Sequence, residues 1–313
     1  MSSAPDHEPA LPVRVPRSRA AGGRHRRPES VEVPPDAPAL VLAVPGAYTS
    51  DHRFLAAELA GLARAEQPGA DVRYGFLEGS EDSLADALHA CADARKEAIA
   101  AGGAAAVVVP LLAAPHPALE DAVRAAVAAA GVPAPVTTAL GPHPLLAEAL
   151  HVRLSEAGLA RADRARLFAV STAADGIVLG SVGGADAAEA TEATGVLLAA
   201  RLAVQVATVT LDGPEGAQAA VDAVARLRAA GVQRPVLAAG AIGPELPQGL
   251  LAGAAAAAGC PHAEPLGAYG GIGRLALLRY TAAMPEQPEA PAAPEAVAPG
   301  SGERRAHAAP TQL

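Results

Sequence analysis

Three side chains that could bind a metal ion or move a proton follow apolar segments of this sequence. Glu78 comes directly after the apolar run of residues 72–77, His116 lies between two prolines, and His143 lies in a Gly-Pro-His-Pro corner. Carboxylates and imidazoles are ligands for divalent cations, and they exchange protons within the range of acid–base catalysis. Their types and positions therefore point to metal or proton-transfer chemistry.

Each of these residues also has a structural interpretation that the sequence leaves open. Glu78 could serve as a negative charge near the N-terminus of a helix that opens at Ser83. His116 could be a surface-loop residue, and His143 could tie down its turn by hydrogen bonds. The two cysteines, Cys91 and Cys260, are far apart, and no CxxC, HxxxH or GxSxG unit is present. A closed zinc site and a serine nucleophile are therefore not expected.

The elements that must position these residues alternate between strand and helix. Apolar runs at residues 40–44, 72–77, 105–112 and 136–140 predict buried strands. Apolar stripes predict the helices between and after them, at residues 51–64, 83–100, 119–130 and 144–156. This alternation predicts an α/β fold with a parallel sheet, whose ligands gather outside the carboxyl ends of the strands.

The second part of the chain repeats this pattern. Strands are predicted at residues 167–170, 204–211 and 235–239, and helices at 186–202, 215–230, 247–258 and in a last segment up to about 283. Glu78 corresponds to Asp212, 134 positions later, and Leu140 corresponds to Leu266, 126 positions later. A nearly constant spacing over several elements predicts a duplicated domain, with boundaries at 38–160 and 161–284.

Composition limits the remaining possibilities. The 313 residues carry a formal net charge of −9, which argues against a nucleic-acid partner. The longest apolar run, residues 104–114, is interrupted by Pro110, so no membrane span is expected. Segments 1–37 and 285–313 are rich in proline and are predicted to be disordered. Few cysteines and no secretion signal predict a reduced, cytoplasmic protein.

The order of four motifs resembles the sirohydrochlorin chelatase family (CbiX/SirB-type class II chelatases). The motifs are Gly75-Phe76-Leu77-Glu78, Ser83-Leu84, the run from Val107 to Leu112 with a nearby histidine, and Leu140-Gly141-Pro142-His143-Pro144-Leu145. The resemblance covers residues 40–154 and extends more weakly over residues 167–280. It implies two tandem flavodoxin-like domains and insertion of Fe²⁺ or Co²⁺ into sirohydrochlorin, in siroheme or cobalamin synthesis, without a nucleotide cofactor.

The resemblance also implies roles for particular residues. His116 would be metal ligand and base, and Glu78 would accept protons or complete the metal shell. The tetrapyrrole would lie between the halves, with Arg53 and His143 as its candidate contacts.

The sequence also departs from the family pattern. Pro45 stands where the family has its first-strand histidine. In the second half, Ser171-Thr172 and Gly243-Pro244-Glu245 stand where the two histidines would be. Two alternatives to an enzyme therefore stay open. One is a binding protein for a metal or tetrapyrrole, and the other is an architectural paralogue whose arginine-rich N-terminal tail contacts a partner.

Overall fold

The computed structural model describes Pro34 and residues 37–160 and 173–284. Apart from Pro34 and Ala37, the tails predicted at 1–37 and 285–313 lie outside the described residues, as does the strand predicted at 167–170. The described chain forms two parallel three-stranded sheets flanked by helices, which confirms the predicted α/β class. Within these described ranges, no helix is long and apolar enough to cross a membrane. We call residues 37–160 the first half and residues 173–284 the second half.

The first sheet is built around strand β1, Ala39–Ala47, which lies between β2, Val72–Glu78, and β3, Ala106–Pro110. Residues 39–44 and all of β3 are buried. A central parallel strand covered by helices on both faces has no solvent side, which explains its continuous apolar run. The parallel pairing brings the carboxyl ends of the three strands to one edge.

Five helices accompany this sheet. They are α1, Ser50–Glu66; α2, Leu84–Ala94; α3, Lys96–Ala100; α4, Pro117–Ala130; and α5, Pro144–Glu156. The prediction of one helix over 83–100 was wrong, because the helix breaks at Arg95. The backbone of Arg95 leaves the helical region with φ −127°, and its guanidinium bonds the carbonyl of Ala37 and the carboxylate of Asp71.

The segment 136–140, predicted as a fourth strand, forms only an isolated parallel bridge between Val136 and Val108. The N–H of Val108 donates to Pro135 O, and the N–H of Thr137 donates to Val108 O. The next bond toward residue 140 would need an N–H from residue 110, which is a proline, so the ladder does not continue along this segment. The segment is extended and close to β3 without being a strand of the sheet.

The second sheet has the same strand order as the first. Strand β4, Gly176–Ser181, lies between β5, Gln205–Thr210, and β6, Pro235–Ala239. Its helices are α6, Ala185–Leu202; α7, Gly216–Ala229; α8, Leu250–Ala258; and α9, Gly270–Ala283. The matching order is what a duplication requires; the domain boundaries themselves stay a prediction.

The register of the two sheets corrects one predicted correspondence. Ala43 pairs with Pro110 in the first sheet, and Gly180 pairs with Ala239 in the second. Gly180 therefore corresponds to Ala43, and Val182 rather than Ser171 corresponds to Pro45. The equivalent of β1 is β4, whose run is short and interrupted by glycine, so its hydrophobic signal in the sequence is weak.

The two halves exchange helices. Helix α9 of the second half packs against α1, β1 and β3 of the first half, whereas α5 packs against α6 of the second half. Hydrogen bonds accompany both contacts. The Tyr280 hydroxyl donates to Pro38 O at 2.7 Å, and the Arg153 guanidinium donates to Leu266 O at 2.7 Å. One cluster of buried apolar side chains accordingly draws on both halves.

Candidate functional site

A cavity of about 880 Å³ opens between the two halves. One wall is the carboxyl end of β1 and the first turns of α1, and the other is the loop after β6 together with residues 262–267. This location, at strand ends, is where parallel α/β sheets bind ligands. The polar side chains in its lining are Thr49, Asp51, His52, Arg153, Glu245, Gln248, His262 and Glu264.

Two equivalent glycines let the halves approach each other at these strand ends. Gly46 follows β1 with φ 78°, and a Cβ there would lie 3.1 Å from Pro244 O. Gly183 follows β4 with φ 117°, and a Cβ there would lie 2.8 Å from Pro115 O. The loop after the third strand of each half therefore crosses the first-strand end of the other half, which places both loops at the interface.

Glu245 is a buried carboxylate that joins these loops; its residue is only 9% exposed. Its Oε1 accepts N–H groups from Ile242 at 2.6 Å and Ala113 at 3.4 Å, and its Oε2 accepts from Gly243 at 2.9 Å. By strand register, Ala113 and Ile242 are equivalent positions. One side chain thus binds matching backbone groups from both halves. In the same register, Glu245 occupies the second-half position that corresponds to His116.

Glu245→Gln is expected to lower the free energy of unfolding by about 1–3 kcal/mol at pH 5, because an amide cannot accept all three N–H groups. Burial raises the pKa of Glu245, although the backbone N–H groups partly offset the shift. The folded protein therefore holds this proton more tightly than the unfolded chain. The advantage of wild type over the variant should shrink as pH rises from about 4.3 through the raised pKa. Urea unfolding of both proteins from pH 5 to pH 8 measures this, and a difference independent of pH would contradict it.

His116 is the N-cap of α4, and it does not line the cavity, although Leu119 one turn later does. Its Nδ1 accepts the backbone N–H of Leu119 at 3.4 Å, longer than a usual hydrogen bond of 2.7–3.2 Å. While this bond is made, the neutral ring carries its proton on Nε2. His116 could become a metal ligand or base through Nε2 only after giving up this weak cap.

His143 also caps a helix, and its bond is shorter. Its Nδ1 accepts the N–H of Leu145 at 3.1 Å at the start of α5. Burial lowers the pKa of His143, and the cations Arg279 and Arg274 lower it further. A neutral imidazole is the form that can accept this N–H, so the local environment favours the capping bond.

Glu78 and Arg53 lie near the end of β1 but are not part of the cavity lining. Glu78 is exposed at the end of β2 and pairs with Ala47 of β1. The guanidinium of Arg53 binds the Asp82 carboxylate at 2.9 Å on the surface. None of the four predicted site residues lines the cavity, and their chemical roles stay predictions.

The second-half counterpart of Glu78 has a structural partner. Asp212 accepts the N–H groups of Gly183 at 2.7 Å and Gly184 at 2.9 Å, at the N-terminus of α6. The negative charge of Asp212 is thereby stabilised by the positive end of the helix dipole. Within residues 37–160 and 173–284, no three histidine, cysteine or acidic side chains are grouped so that they could hold a metal ion.

His52 is the histidine of the first half that does line the cavity. It lies in the first turn of α1, where the Thr49 hydroxyl accepts its backbone N–H at 3.1 Å. The sequence predicts only that His52 lies on the helix of residues 51–64, because the opposite wall of the cavity comes from a loop nearly 200 residues later. The available signal was its position seven residues after Pro45.

Comparison with known proteins agrees with this architecture. The CbiX family model matches residues 39–157. The cobalt complex of the sirohydrochlorin chelatase SirB from Bacillus subtilis subspecies spizizenii is 16% identical, with a TM-score of 0.51 over 78% of this chain and 94% of that one. SirB from Bacillus subtilis with Fe³⁺ is also 16% identical, with a TM-score of 0.50 over 77% and 94%. No curated protein matches the chain in sequence. Residues 39–157 are therefore similar to the CbiX family, within a chain whose fold is similar to that of the SirB chelatases.

Proposed function

We propose that this protein is a chelatase that inserts Fe²⁺ or Co²⁺ into sirohydrochlorin, as a lyase of siroheme or cobalamin synthesis. The observation that carries the proposal is the cavity of about 880 Å³ into which the carboxyl end of β1, in the CbiX-type segment, opens. A cavity of this size between two halves is within the range of small-molecule and cofactor sites. The metal is a substrate, taken up and released within the product.

The side chains of the cavity suit a tetrapyrrole that carries carboxylates. Arg153 lies in the lining, and its guanidinium can bind a carboxylate in addition to its bonds to Leu266 O and Glu156. Arg53 and His143 remain candidate contacts for the outer carboxylates. His116 could bind the metal through Nε2 once its proton moves to Nδ1 and the hydrogen bond from the N–H of Leu119 is lost. At 3.4 Å this hydrogen bond is weak, so little stability would be lost with it.

The second candidate function is binding of a metal or tetrapyrrole without turnover. Pro45 stands at the end of β1 without an imidazole, and the described residues hold no preformed three-ligand metal group. A binding protein would bind sirohydrochlorin saturably and would leave the rate of metal insertion at its protein-free value.

The test mixes purified protein with sirohydrochlorin and Co²⁺ or Fe²⁺ and follows the absorbance change of metal insertion. We expect insertion faster than in protein-free buffer. His116→Asn should retain a side-chain acceptor for the N–H of Leu119 and so preserve the cap. We expect this variant to keep wild-type thermal stability while insertion falls by about 10²-fold, because it lacks the imidazole that would bind the metal.

Two results would contradict these expectations. If wild type binds sirohydrochlorin saturably but does not accelerate insertion, the protein is a binding protein and not a chelatase. If His116→Asn inserts metal at the wild-type rate, the only role of His116 is to cap α4.

A further inference from the structure

The ring of His52 is held in one orientation by the chain segment that leads into α1. Its Nδ1 lies 3.2 Å from the backbone carbonyl oxygen of Ala47. A carbonyl oxygen only accepts hydrogen bonds, so the ring nitrogen donates. In the neutral ring this leaves Nε2 without a proton and with its lone pair available. A histidine whose other nitrogen donates to a backbone carbonyl is the arrangement that presents a basic nitrogen to a ligand.

Three other histidines have the opposite arrangement. Nδ1 of His116 and of His143 accepts a backbone N–H, and Nδ1 of His151 accepts the guanidinium N–H of Arg201 at 3.0 Å. In each neutral ring the proton is therefore on Nε2. His89 donates through Nε2 to Ala130 O at 3.1 Å, but it lies outside the cavity lining. Among these five, His52 alone combines a basic ring nitrogen with a place in the cavity wall.

His52 lies close to the strand end at which the first half lacks an imidazole. Pro45, at the end of β1, supplies neither an imidazole nor an N–H. The chain turns at Gly46, and Thr49 caps α1, which brings His52 back to the wall that contains Gly46 and Ala47. An imidazole is thus present at this strand end, although the sequence places it seven residues later. It faces a cavity whose other wall contains His262 and Glu264.

We propose that His52, rather than His116, is the catalytic base of the cavity and that its Nε2 takes the pyrrole protons displaced during metal insertion. The inference rests on the proposed function. Each pyrrole N–H bond breaks as its electron pair forms a bond to the divalent metal, and the proton passes to Nε2. The imidazolium releases this proton to water at the open side of the cavity before it accepts the second. Two protons leave for each metal ion inserted, so charge and atoms balance.

The test compares His52→Asn with wild type, because an asparagine amide can still donate to Ala47 O and lacks the basic nitrogen. Insertion of Co²⁺ into sirohydrochlorin should fall by about 10²–10⁴-fold. Binding of metal-free sirohydrochlorin, followed by its fluorescence, should be unchanged. Added imidazole should restore part of the insertion rate of His52→Ala, which a purely structural role would not produce. His89→Gln, which keeps a side-chain donor for Ala130 O outside the cavity, is the matched control and should insert at the wild-type rate.

The outcomes separate this inference from the proposed function. If wild type accelerates insertion and His52→Asn does so equally, His52 is not the base, and the chelatase activity stands. Loss of sirohydrochlorin binding in His52→Asn, or failure of imidazole to restore His52→Ala, would also overturn the assignment in favour of a structural role. If wild type gives no acceleration, the chelatase proposal fails, and the base assignment fails with it.

Discussion

Tyr280→Ala is expected to lower the free energy of unfolding by about 3–5 kcal/mol. Tyr280 is 1% exposed and lies on α9, the second-half helix that packs on the first sheet. Removing its ring would leave a cavity in the core shared by both halves, and partial relaxation would not refill it. Urea unfolding followed by circular dichroism measures the loss. A single transition at lower urea concentration is expected, because the helix belongs to both halves.

Tyr280→Phe is the matched control for this prediction. It keeps the ring and removes only the hydroxyl that donates to Pro38 O at 2.7 Å. The expected loss is about 1–3 kcal/mol, from a carbonyl left without its partner. If alanine and phenylalanine cost the same, the stabilisation would come from the hydrogen bond and the packing argument would be wrong.

Gly75→Ala is expected to cost about 3 kcal/mol, at the upper end of overpacking effects. Gly75 lies on β2 where the start of α2 crosses it. A Cβ at this position would lie 2.5 Å from Leu84 Cα, 2.8 Å from Leu84 N and 2.9 Å from Ser83 O. All three atoms belong to the backbone, so a side-chain rotation cannot relieve the clash. Chemical unfolding measures the loss, and a change below about 1 kcal/mol would show that α2 can move away.

Gly61→Ala is expected to have the opposite effect on stability, because a side chain at Gly61 would have free space. Gly61 is exposed on α1, and a Cβ there meets nothing within 4 Å. Alanine should stabilise the protein by about 0.5–1 kcal/mol through its higher helix propensity. A loss of stability in both variants would show that the α1 site is more constrained than its surroundings indicate.

The Gly75 contact explains physically why two of the recognised motifs occur together. Gly75-Phe76-Leu77-Glu78 forms the end of β2, and Ser83-Leu84 forms the start of α2 directly against it. The N–H of Phe76 donates to Asp82 O, and Phe76 pairs with Ser83 as an isolated bridge. Such local requirements are encoded within about ten residues, so strand ends, helix caps and turn glycines of this kind could be predicted from the sequence.

Features that depend on distant parts of the chain could not be predicted in this way. Apolar periodicity identifies α9 as a helix, but it does not say which sheet covers its buried side. The sequence allowed for the turn hydrogen bond that His143 makes, whereas the capping role of His116 depends on a ring orientation for which the residue type gives no signal. His52 and Glu245 are brought to one cavity by the crossing of loops from opposite halves, so their proximity has no counterpart in sequence spacing.

The exchange of helices also has a consequence for synthesis of the chain. Tyr280 and its partner Pro38 are separated by 242 positions. The core around β1 therefore lacks one of its covering helices until almost all of the described chain has been translated. Closing so long a loop before its contacts form is entropically costly and slows folding. The first half accordingly cannot complete its native core until α9 has also emerged from the ribosome.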